Sequence, residues 1–173
     1  MVNICIIFKN EVLLRYIKMK KLNIGCGYVK KEGFINIDIS KSVNPDTVVD
    51  IEKGLPFKDN TFDYIYSSNV LEEIRPQYWS FVLSEISRVA KDGCILELSL
   101  AFDNMYNRGR INHYRVFNWD SFFVCEEGQE HNYTAPIILR NLEKRPNIFT
   151  RLWFSLFSFL KAQVKFKFKI IKV

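Results

Sequence analysis

The chain has 173 residues, 48% of them hydrophobic, 25% charged and 15 of them Phe, with a formal charge of +6. This length suits one folded domain with a real core, and the composition excludes a disordered or low-complexity protein. The charge is carried by the ends: Lys161, Lys165, Lys167, Lys169 and Lys172 lie in the last thirteen residues and a net +2 in residues 1–18, leaving −1 for residues 19–160. A near-neutral body argues against nucleic acid as a partner.

The four cysteines (Cys5, Cys26, Cys94, Cys125) are scattered, and His113 and His131 are the two histidines available to complete a metal site. Neither a disulfide framework nor a structural zinc is expected. The apolar patch Ile4–Phe8 is too short for a signal segment or a membrane span of about 20 residues, so a cytoplasmic protein is expected. Residues 1–18 read as an extension ahead of a single domain over 19–173, divided into a core (19–100) and an acceptor loop, final helix and strand (101–173).

In chain order, KKLNIGCG is a short buried strand entering a glycine turn. GFINIDIS is a second strand. Only Tyr28–Glu32 separate them, too few for a crossover helix. TVVDI and FDYIYSS are two further strands, joined through Gly54, Pro56 and an Asp59-Asn60 turn. YWSFVLSEISRVAKDG carries Trp79, Val82, Leu83, Ile86 and Val89 at helical spacing, with Gly93 as the expected C-cap. CILELSL is the next strand. The order predicts an α/β, Rossmann-like, mainly parallel sheet flanked by helices, with a shortened first crossover.

Beyond residue 101 the pattern is polar, aromatic and rich in Asn, as in a lid or substrate loop, with NWDSFF opening a short helix. The tail reads as a helix (LWFSLFSFLKA) followed by an antiparallel strand, VKFKFKIIKV. There Val164, Phe166, Phe168 and Ile170 share one face, and the lysines suit an edge strand. Residues 149–173 also carry the aromatic and basic pattern of a peripheral membrane contact.

Gly25 and Gly27 let a cofactor approach the end of the first strand closely, and Lys30 stands where a dinucleotide fingerprint needs a third glycine. Asp38, after the second strand, suits a ribose diol. Asp50, ending the third, suits an adenine amine, with Ile39 and Ile51 as flanking apolar walls. Cys26, beside a buried strand, reads as a packing residue rather than a nucleophile.

Together LNIGCG (22–27), GFINIDI (33–39), DIEKGLPFKDNTFDYIYSSNVLEEI (50–74) and SEISRVAKDGCILEL (84–98) resemble the class I S-adenosylmethionine-dependent methyltransferases, among them the small type 11 methyltransferases. HYRVFNWDSF (113–122) is similar to a later segment of many relatives. The resemblance implies S-adenosyl-L-methionine as cofactor. Asn23, Gly25, Cys26 and Gly27 would line its methionine and ribose side, Asp38 the ribose, Asp50 and Ile51 the adenine, and Ser68 and Asn69 the sulfonium region. It implies methyl transfer to a small-molecule acceptor, such as a sugar or glycan intermediate, with His113 as the candidate base. Three departures stand out: Asn23 replaces a common acid, and Asn69 and Glu73 replace two histidines. The changes at Asn69 and Glu73, with the short region after residue 100, favour as the alternative a catalytically silent binding or regulatory subunit of the same fold.

Overall fold

The computed structural model describes residues 19–122, 125, 137–142 and 163–172. Its centre is a seven-stranded sheet. Strands β1 (Lys21–Ile24), β2 (Ile35–Asp38), β3 (Thr47–Val48), β4 (Phe62–Ser68) and β5 (Ala90–Ala101) run parallel, and β6 (Ile138–Asn141) and β7 (Gln163–Ile171) complete it. The spatial order is β3-β2-β1-β4-β5-β7-β6, with β7 antiparallel to both β5 and β6. This is the predicted α/β, mostly parallel architecture with an antiparallel C-terminal strand.

Strand alternation sorts the residues onto two faces. Leu22, Ile65, Leu96 and Phe168 stand side by side across β1, β4, β5 and β7 on the apolar face. On the opposite face the row is polar, with Asn36, Asn23, Tyr66, Glu97 and Lys167 in register. Helix α1 (Trp79–Val89) covers the apolar face through Val82, Leu83, Ile86 and Val89, each at most 1% exposed. Each such burial contributes about 1.5–3 kcal/mol. The same helix fixes the loop that precedes β4: Arg88 donates to the carbonyls of Leu55 and Phe57, both at 2.8 Å, and Glu85 Oε2 accepts the Leu55 N–H at 2.8 Å.

Several expectations are corrected. Gly93 does not cap α1. The chain leaves the helix at Ala90 in extended conformation and enters β5 directly, and Gly93, at φ +76°, sits where the β4–β5 register is irregular. The third strand ends at Val48, because Asp50 caps a 3₁₀ turn (Ile51–Lys53) by accepting the Glu52 N–H at 3.1 Å. Strand β7 is not an edge but lies between β5 and β6. Its alternation is as expected, since Val164, Phe166, Phe168 and Ile170 are buried. Residues 119–122 form turns in place of a helix opening. The predicted tail helix over 152–162, the extension over 1–18 and most of the segment 149–173 lie outside the described residues. Among the described residues, no helix is long and apolar enough to cross a membrane.

Candidate functional site

The connection from β1 to β2 is short, so the chain must turn over the ends of both strands. The Ile37 carbonyl accepts two N–H groups there, from Gly25 at 2.9 Å and Cys26 at 3.0 Å. The Gly27 N–H then donates to Asp38 Oδ2 at 2.9 Å. Gly25 and Gly27 have φ +67° and +53°, the left-handed region that L side chains resist. A Cβ on Gly25 would overlap Val70 Cγ2, whereas one on Gly27 would enter open space.

Beneath the turn, a buried polar network holds β1 to β2. Asn23 Nδ2 donates to Asn36 Oδ1 at 2.9 Å, and the Lys31 N–H donates to the same oxygen at 2.8 Å. The Asn36 amide nitrogen donates in turn to the carbonyls of Lys31 and Phe34 and to Asp46. Asp46 also takes the Asn36 N–H at 2.7 Å, and that bond is the main cause holding its carboxyl below the usual range.

At these strand ends opens a cavity of about 760 Å³. Asn23, Gly25, Cys26, Gly27, Asp38, Ile39, Asp50, Ile51, Ser68 and Asn69 all line it. His113 does not; its neighbour Tyr114 does, carried in by the Tyr114 N–H, which donates to the Glu72 carbonyl at 2.9 Å. Burial, followed by the charge of Arg110, pushes His113 below the ordinary imidazole value. Cys26 is 6% exposed, and burial raises its thiol above the ordinary value, as suits a packing residue.

Sequence reasoning did not select Lys31, Tyr66, Val70 and Tyr114 for this wall, nor Glu52 and Arg75. Tyr66 could have been found from strand alternation, two residues before Ser68. Lys31 could have been found from the short first connection, which keeps its side chain near the turn.

Asp38 Oδ1 accepts the Ser40 N–H at 2.9 Å, and Asp50 Oδ2 meets Lys53 Nζ at 3.2 Å. Each carboxylate oxygen has two lone pairs, so both groups retain acceptor capacity towards a ligand. The Glu52 carboxylate is committed to Arg75, whose hydrogen bonding is the main cause of its lowered pKa.

A glycine turn and two carboxylates thus border one cavity at adjoining ends of a parallel, Rossmann-like sheet. Residues 22–98 match the family described as "Methyltransferase domain", and such a match implies S-adenosylmethionine as the cofactor. The fold is similar to a SAM dependent methyltransferase from Aquifex aeolicus (TM-score 0.55, 19% identity, 93% of this chain and 89% of that one). It is also similar to one from Archaeoglobus fulgidus (TM-score 0.56, 17% identity, 94% and 93%). The [4+2]-cyclase SpnF matches over 50% of this chain at 22% identity and TM-score 0.44, and the chain spans only 40% of that protein's length. No curated protein matches the chain in sequence.

Proposed function

We propose that the chain binds S-adenosylmethionine in this cavity and directs its methyl group to a small polar acceptor. The observation that carries the reading is one continuous space of about 760 Å³ bordered by the glycine turn, Asp38, Asp50, Ser68 and Asn69. Such a volume lies within the about 300–1,000 Å³ of small-molecule sites. The open space beside Gly27 is a place that a side chain would occupy and a ribose can. In this reading Asp38 accepts the ribose hydroxyls, Asp50 accepts the adenine amine, and Ile39 and Ile51 hold the ring.

The cofactor supplies a methyl group already activated on a sulfonium. The protein's part is therefore alignment and exclusion of water. Val70, Glu73 and Tyr114 line the cavity beyond Ser68 and Asn69, and are the side chains available to orient an acceptor. Glu73 is itself held by the Asn112 amide, which ties the loop after β5 to this wall.

The reading is tested by calorimetric titration with S-adenosylmethionine and S-adenosylhomocysteine. Micromolar binding that is lost in Asp38→Ala is expected. A heat signal of equal size in the variant would remove Asp38 from the site, and no binding of either compound to the unsubstituted protein would overturn the function.

A further inference from the structure

Among the described residues, two cations line the cavity, Lys31 and Arg75. Arg75 is committed: its guanidinium donates to Glu52 and lies 4.6 Å from the Tyr78 ring. Nearby lysines are also engaged, Lys30 with Asp46 at 3.1 Å and Lys53 with Asp50 at 3.2 Å. Lys31 is held differently. Its ammonium lies over the Tyr66 ring, 3.9 Å from the centroid, and its backbone is fixed by the N–H bond to Asn36 Oδ1. A ring face attracts a cation but accepts no more than one of its three N–H donors, so the ammonium stays able to take an anion.

The position of this charge follows from the topology. Tyr66 is in register with Asn23, so Lys31 stands beside the β1–β4 pair, while Asp38 ends β2 and Asp50 follows β3. With the strand order β3-β2-β1-β4, Asp38 and Asp50 stand at the β2–β3 side of the cavity and the Lys31 ammonium at the β1–β4 side; of the other charged lining residues, Arg75 is paired with Glu52, and Glu73 accepts from the Asn112 amide. S-adenosylmethionine offers groups for both sides: hydrogen-bond donors on its adenosine end, and on its amino-acid end a carboxylate, which a lysine can take, beside an ammonium.

Resting on the cofactor reading above, we infer that Lys31, braced by Tyr66, binds the carboxylate of the cofactor's methionine portion. It thereby selects the intact cofactor over nucleosides that lack that group. No bond is made or broken in this step. A charge-assisted hydrogen bond of this kind is worth about tenfold in affinity.

The test is calorimetry with three probes, S-adenosylhomocysteine, its decarboxylated analogue and methylthioadenosine, on the unsubstituted protein, Lys31→Met and Lys31→Arg. The unsubstituted protein is expected to prefer S-adenosylhomocysteine to the decarboxylated compound by about tenfold, a preference that shrinks with added salt. Lys31→Met, whose chain still covers Tyr66, is expected to bind S-adenosylhomocysteine no better than its decarboxylated analogue, with affinity for the two carboxylate-free probes unchanged. Lys31→Arg is expected to keep the preference. A Lys31→Met protein that still prefers S-adenosylhomocysteine overturns the assignment while leaving the cofactor site intact. Should none of the three bind the unsubstituted protein, the cofactor reading fails and the role of Lys31 with it. A preference indifferent to salt would count against Lys31 even if Lys31→Met did not fold.

Discussion

The Gly27 N–H and the Ser40 N–H grip opposite oxygens of Asp38, each at 2.9 Å, so one carboxylate sets the turn after β1 and the path after β2. Asparagine has a single acceptor oxygen, and Asp38→Asn must aim its NH₂ at one of the two N–H groups. An unmatched donor costs about 1–3 kcal/mol. Thermal melting should therefore fall by about 2–4 °C per kcal/mol. Affinity for S-adenosylhomocysteine should drop by at least about tenfold, since a charged acceptor is lost. Melting and binding both equal to the unsubstituted protein would show that the carboxylate does neither job.

Gly25 and Gly27 share a left-handed backbone but differ in what surrounds them, and that difference is measurable. Gly27→Ala should cost only the conformational strain, about 1–2 kcal/mol. Gly25→Ala adds the overlap with Val70. The double variant Gly25→Ala with Val70→Ala removes the overlap and keeps the strain, so urea unfolding should show the pair less destabilised than the sum of its single changes, by about 1 kcal/mol or more. Strict additivity would mean that Val70 moves aside freely.

Asn23 carries an amide rather than an acid near the end of β1, and the local network accounts for the amide. Its Nδ2 donates to Asn36 Oδ1, and Asn36 cannot turn that oxygen away because its own nitrogen is engaged by the carbonyls of Lys31 and Phe34 and by Asp46. Asn23→Asp would set a carboxylate against an acceptor in a site 2% exposed. The expected cost is about 2 kcal/mol in unfolding free energy, and combining it with Asn36→Ala should make the penalty smaller than additive. An Asn23→Asp protein as stable as the parent would show that the network rearranges.

Much of this was legible in the sequence, and the parts that were not share a cause. Strands β1, β2, β4 and β5 and helix α1 carry their own periodicity, and the ten residues expected at the cofactor site do border one cavity. Strand β6 leaves no clear signal in the sequence because Ile138–Asn141 offers four residues of mixed pattern whose burial depends on β7, which is remote in sequence. The placement of β7 inside the sheet was hidden for the same reason: alternating lysines suit an exposed edge equally well as a strand with one polar face. Gly93 reads as a helix cap from spacing alone, since its φ of +76° serves a strand irregularity just as readily. Imidazole chemistry singles out His113, but chemistry carries no information on which of two neighbouring loop residues turns inward.

Glu72 links the cavity wall to pH. Its side chain is fully buried, Oε1 accepts the Ala101 N–H at 3.0 Å, and Oε2 is buried without a hydrogen-bond partner among the described residues. Burial is the main cause raising its pKa above the usual 4.5, with Glu73 adding to the rise. The folded protein therefore holds this proton more tightly than the unfolded chain. Its contribution to stability is complete below pH 4.5 and is lost as pH climbs through the folded-state value. Glu72→Gln keeps the acceptor for Ala101 and carries no charge. At about pH 8 it should be more stable than the parent by about 1 kcal/mol, or about 2–4 °C in melting temperature, with the gap closing as the pH falls. The Glu72 carbonyl also holds the Tyr114 N–H, so the same variant should order the loop beside the cavity at high pH, seen as slower amide exchange at Tyr114. A parent and variant whose melting temperatures run parallel across this range would mean that Glu72 finds a compensating partner when ionised.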